Sequence, residues 1–152
     1  MATEKLNINS WDGAWPVGSL ANIDEPIASA DGSAISTAIG DRTNTIVGFD
    51  NVSVISNLDI VTRIDITIRL SGVSAANANV WLLINGSRIG TFNSTGSMGT
   101  GFTNYSFNQA AYNTDWSVAD LNTLQVEIAP FPSTGFISLD CCDLAGTGTS
   151  HK

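Results

Sequence analysis

The sequence predicts an all-β fold: an antiparallel, jelly-roll-like β-sandwich of about eight strands with an extended N-terminal arm. Three observations carry this. Residues 60–70, "IVTRIDITIRL", alternate apolar and polar with β-branched residues on the apolar side, which is the period-two signature of a half-buried strand. Short β-rich runs recur along the rest of the chain between Gly-, Asn- and Ser-rich turns. Helical periodicity is almost absent. The 152 residues suit a single domain, and a chain of that size buries ~70% of its unfolded surface without help from disulfides or metals.

Taken in order, residues 1–25 contain "INSWDGAWPVGSLANIDEP", with Trp11, Trp15, Pro16 and Pro26 in no clear period, and read as the arm. Strands are expected at 34–39 and 45–49, with residues 52–54 continuing the second after a bulge. The central strand, 60–70, turns Ile60, Ile64, Ile66, Ile68 and Leu70 one way. Val61, Arg63, Asp65, Thr67 and Arg69 turn the other. The run 80–84 closes at Asn85-Gly86, a favoured hairpin turn because both residues tolerate positive φ, and 88–92 returns from it. Strands at 102–107, 123–129 and 136–144 complete the set, and Ser117 caps one helical turn through residue 121. The expected organisation is therefore an arm over 1–25, a sandwich over 26–145 and a tail over 146–152.

Charge excludes some partners. Charged residues make up 13% of the chain and the net charge is −8, with six Lys and Arg side chains that do not cluster. Nucleic acid needs clustered cations that displace counterions, so it is not expected as a partner. No apolar run approaches the ~20 residues of a membrane span, and no basic-then-apolar leader opens the chain. The expectation is no membrane partner and synthesis in a cytoplasm. Stretches such as "NGSRIGTFNSTGSMGTGFTNYS" replace charge with neutral hydrogen-bonding groups. A protein or a glycan can cover such a surface without desolvating ions.

Chemistry has few footholds. Asp140-Cys141-Cys142-Asp143 sets two thiols between two carboxylates. Neighbours in a strand point to opposite faces, and their Cα atoms lie ~3.8 Å apart, short of the ~4.4–6.8 Å of a disulfide. Zinc signatures use spaced cysteine pairs instead. The expectation is a last strand, with no metal and no cofactor. Asp12-Gly13, Asp24-Glu25 and Asp31-Gly32 offer oxygen ligands for calcium but lack EF-hand spacing, and Asp-Gly is mostly a turn. The single histidine, His151, lies in the tail, and Lys5 and Lys152 are near the termini. Nothing pairs the carboxylates Asp115, Asp120, Glu127 and Asp140, so no enzyme is expected.

Aromatic residues carry the binding expectations. Trp11 and Trp15 can each bury ~150–250 Å², so the arm either folds back on its own sandwich or docks on a neighbouring subunit. In the second case Trp11, Trp15 and Pro16 are the contacts. Sugars stack on exposed rings, which singles out Tyr105, Tyr112 and Trp116. Trp81, inside an apolar run, is assigned to the core.

Three stretches, "ADGSAISTAIGDRTNTIVGFDNVSV", "IVTRIDITIRLSG" and "YNTDWSVADLNTLQVEIAPFPSTGFISLDCCDL", resemble a β-sandwich domain of bacteriophage structural proteins and modular bacterial surface proteins. A compact sandwich with an arm looks like a capsid decoration (cement) protein. That resemblance implies a non-enzymatic virion protein on the capsid surface, a homotrimer whose partners are the major capsid protein or other virion proteins. The alternative is a carbohydrate-binding or host-receptor-binding module, or a tail or baseplate component.

Overall fold

The computed structural model describes residues 2–56, 60–73, 76–110, 116–131 and 135–149. Among these residues the chain forms β1 (Ala2–Trp11), β2 (Ile35–Ser36), β3 (Thr45–Phe49), β4 (Ile60–Gly72), β5 (Asn77–Ile84), β6 (Ser87–Ser94), β7 (Thr103–Ala110), β8 (Gln125–Phe131) and β9 (Ile137–Thr149), with one helical turn, α1 (Val118–Leu121). All pairings are antiparallel. The first sheet runs β1-β9-β4-β7, with β2 also paired to β9, and the second runs β1-β3-β8-β5-β6. The protein is an all-β, jelly-roll-like sandwich.

Strand β1 belongs to both sheets. Ala2–Asn7 pair with β9, and from Ile8 onward the strand pairs with β3. A register shift between Ile8 and Ser10 bends it around the corner, which is how one strand passes between two packed sheets. Between the sheets, Ile64, Ile66, Ile68 and Leu70 of β4 share a core with Val47, Val80, Leu82, Val126 and Ile128. A bulge between Val61 and Arg63 turns Val61 inward as well, against strict alternation.

The local signals hold. Asn85 and Gly86 have φ of 53° and 78°, and Ile84 pairs with Ser87 across the turn. Ser117 N donates to the Asp120 carboxylate at 3.0 Å, and Asp120 N donates to Ser117 Oγ at 3.1 Å, a reciprocal cap on α1.

Three expectations are corrected. Residues 2–11 are a central strand and not an arm. Their apolar alternation is broken because Glu4 takes an inward position in line with Leu6 and Ile8. Trp15 is core, 1% exposed, with Nε1 donating to the Thr43 carbonyl at 2.8 Å. Trp11 is half-buried with Nε1 on Thr45 Oγ1, and Pro16 is exposed. Residues 52–54 are a loop that clasps Glu4, not a strand. Finally, β9 runs to Thr149 and takes residues 146–149 out of the expected tail. Among the described residues no helix is long and apolar enough to cross a membrane.

The segment between β1 and β2 positions the chemistry. It forms two 3-10 turns, Leu20–Asn22 and Ile27–Ser29, and crosses the outer face of the first sheet over β4 and β9. Ile23 N–H and Ala30 N–H close those turns. Ile27 N donates to Asp143 and Gly32 N donates to Asp140, so the crossing is pinned to β9.

Candidate functional site

Under that crossing lies a carboxylate–thiol cluster. In the pairing of β4 with β9, Arg69 faces Cys141 and Leu70 faces Leu139, which leaves Asp140 as the extra residue of a bulge. Bulges of this kind re-aim a side chain. Asp140 is fully buried, and its Oδ2 accepts Arg69 Nε and Gly32 N, both at 3.1 Å. Its Oδ1 and Oε1 of Glu25 are buried without a donor. Ligand atoms of Glu25, Asp140 and Cys141 all lie within 4.8 Å of one another. Asp31, exposed at the rim, accepts Ser33 N at 2.8 Å and is held below the usual carboxylate range chiefly by that bond.

The charge balance is unfavourable as it stands. Burial, then the carboxyls of Asp140 and Asp31, push the Glu25 carboxyl up to about 7. Burial, then the carboxyls of Asp140, Glu25 and Asp143, push the Cys141 thiol up to about 12. One guanidinium, Arg69, faces this group, and a half-filled network of buried polar atoms is costly. Two carboxylates in this position coexist by sharing a proton or a cation. Cys142 points the other way, into the core beside Ile68, and burial holds it well above the ordinary thiol value. Asp143 is occupied by Ile27 N, and burial raises its carboxyl.

A second region lies on the far side of the sandwich. Ser10, Gly48 and Gln125 form a row across β1, β3 and β8 on the outer face of the second sheet. Gly48 leaves the row without a side chain at its centre, and a Cβ there would collide with Ser10 Oγ. The row opens into a cleft of about 380 Å³ whose walls include Asn9, Asn51, Asn85, Asn122 and Thr123. Among the described residues, those lining it offer amides, hydroxyls, backbone and the apolar Phe49 and Leu124, but no charge. Farther along the same face, Trp81 pairs with Glu127. Arg88 stacks on the Trp81 ring 3.9 Å from its centre and bonds Glu127 at 2.7 Å.

The aromatic expectations are partly overturned. Trp116, expected as a glycan contact, is a core residue at 6% exposed. Tyr105 sits on edge strand β7 opposite Ile68, half-buried against the core. Tyr112 lies outside the described residues. Trp81, assigned to the core, faces outward because Val80 and Leu82 take the inward positions on either side of it. As for catalytic pairs, Glu127 and Asp140 lie on the outer faces of opposite sheets, Asp120 caps α1, and Asp115 and His151 lie outside the described residues. The acidic loops divide: Asp12 accepts Ala14 N and Thr45 Oγ1 in a turn, whereas Glu25 meets both Asp31 and Asp140.

No family model matches the sequence, and no curated protein matches it either. Solved structures do resemble the fold. The CBM36-1 domain of a multidomain xylanase from the hindgut metagenome of Trinervitermes trinervoides is 14% identical, with 97% of this chain and 98% of that chain covered and a TM-score of 0.46. CBM35 from Cellvibrio japonicus Abf62 is 17% identical, with 86% and 87% covered and a TM-score of 0.46. The Stig cyclase Fisc from Fischerella sp. TAU is 10% identical, with 98% and 100% covered and a TM-score of 0.46.

The expectation of a capsid decoration protein is corrected. The segment that was to reach the shell is built into the sandwich.

Proposed function

We propose that the chain is a binding module for a neutral carbohydrate, held without chemical change on the outer face of the second sheet. The carrying observation is the uncharged cleft, where amide and hydroxyl groups converge from β1, the loop after β3, the β5–β6 turn and the approach to β8. Each sugar hydroxyl is both donor and acceptor, and an amide side chain matches that with both functions on one group. Binding there desolvates no ion. The backbone floor at Gly48 lets a ring approach closely.

The test is a screen of neutral oligosaccharides by calorimetry with the full chain. Saturable binding is expected, and Gln125→Ala should weaken it about fivefold, the scale of one hydrogen bond of ~1 kcal/mol. Asn51→Ala, on the wall of the cleft, should weaken it by a similar factor, with an unchanged circular dichroism spectrum. Flat titrations across the panel, or affinity indifferent to both substitutions, would rule the reading out.

A further inference from the structure

We infer that Glu25, Asp140 and Cys141 form a binding site for a divalent cation of the zinc class, with Asp31 at its rim. The inference stands apart from the carbohydrate reading, since it concerns the opposite face of the sandwich.

Acidic side chains alone would not make this site. What does is the state of Asp140: fully buried, held by Arg69 and Gly32 on one oxygen, with the other oxygen lacking any donor, in a cluster whose Glu25 Oε1 is equally unsatisfied. An orphaned buried carboxylate oxygen is expensive, and two of them in one cluster are more so. The bulge that places Asp140 there disrupts a ladder that runs on either side of it. A bulge of this kind is treated as a designed feature rather than a defect.

The donor set selects the metal. Calcium takes 6–8 oxygens at ~2.3–2.6 Å, and magnesium keeps a near-ideal octahedron of oxygens. Here Asp140 has one oxygen already engaged, Asp31 is tied to Ser33, and the third converging atom is a sulfur. Mixed carboxylate and thiolate ligands suit zinc and its thiophilic neighbours. Zinc binds three protein ligands at ~2.0–2.3 Å and completes a tetrahedron with a fourth group such as water. The spread of 4.8 Å among the three ligand atoms is within what small side-chain rotations close onto one ion. Coordination would deprotonate the Cys141 thiol outright, so the ion would meet a thiolate and two carboxylates.

Adjacent cysteines in a strand cannot both reach one ion, because they point to opposite faces. Here the strand uses one of them. Cys142 is committed to the core, and Cys141 is free for the outer face.

The experiment uses the full chain, stripped by chelator and titrated with Co²⁺ and Zn²⁺. One equivalent of Co²⁺ should bind with a thiolate-to-cobalt charge-transfer band and the visible bands of a tetrahedral site, and Zn²⁺ should displace it. Cys141→Ser should abolish the charge-transfer band and cost at least the ~10–100-fold in affinity that loss of an outer hydrogen-bond partner causes. Asp140→Asn risks misfolding through Arg69, so Glu25→Gln is the second variant, expected to lose binding while keeping the wild-type circular dichroism. Three results overturn the inference: no stoichiometric binding of either metal, Co²⁺ bound without a charge-transfer band, or Ca²⁺ bound more tightly than Zn²⁺, which would make this an oxygen-only site.

Discussion

Deletion of residues 1–25 should leave a chain that does not fold, and Trp15→Ala alone should lower the melting temperature by about 10 °C or more. The reason is position. Strand β1 stands between β3 and β9 and is where the two sheets meet. Without it both neighbours become raw edges, which are templates for aggregation. The same segment carries Leu6, Ile8, Trp15 and Ile23, all buried in the common core. Truncating a buried Trp costs ~3–5 kcal/mol, and in a domain of this size each kcal/mol moves Tm by about 2–4 °C. Trp15 also loses its bond to the Thr43 carbonyl. Thermal denaturation followed by circular dichroism measures the effect. A Trp15→Ala protein that melts with the parent would restore the picture of a detachable arm.

Glu4→Gln should destabilise the protein by ~3 kcal/mol at neutral pH, and the difference should vanish in acid. The Glu4 carboxylate accepts Ser53 N at 2.7 Å, Val54 N at 2.9 Å, Ile55 N at 3.2 Å and Ser53 Oγ at 2.9 Å. It thereby ties β1 to the loop after β3, which otherwise has no ladder partner for those amides. A glutamine offers one acceptor oxygen and turns an NH₂ toward the remaining donors. Burial alone would raise this carboxyl, but the amides of Val54, Ser53 and Ile55 and the Ser53 hydroxyl outweigh it and hold it below its ordinary value.

The sign of the pH dependence follows. A depressed folded-state value contributes stability that is fully present above the unfolded value, ~4.3 for glutamate, and is lost as pH falls through the folded value. Glu25 and Asp143, whose carboxyls burial raises, act in the opposite sense. Comparing the parent with Glu4→Gln cancels those contributions. Melting temperatures measured from pH 7 down to about pH 3 should converge for the two proteins at the acid end. Parallel curves would mean that the Glu4 charge contributes nothing beyond packing.

How legible each feature was depended on how local its cause is. The long strand β4, the Asn85-Gly86 turn and the Ser117 cap were readable because each depends on neighbours in the chain: alternation, tolerated φ, a side chain reaching its own backbone. Strand β1 was unreadable because an inward glutamate breaks the apolar pattern, and only the loop at 53–55 makes that position tolerable. Trp81 was misplaced because an apolar run hides which of its members faces out, and the pairing of β5 with β8 decides that.

The candidate cation site shows the same division. Glu25 and Asp31 were visible as acidic loop residues, and Asp140 and Cys141 as part of a curious tetrapeptide, but nothing local joined them. Gly32 and Asp140 are 108 positions apart, bonded because the segment before β2 crosses the outer face of the first sheet. The sequence by itself determined an all-β chain with low charge, its hairpin turn and its helix cap, since those follow from near-neighbour sterics and composition. The tertiary structure alone decided that β1 is a central strand, that Trp15 is core, and that two unsatisfied carboxylates and a thiol meet. Those outcomes depend on strand order and on a single bulge, and neither leaves a periodic trace in the sequence.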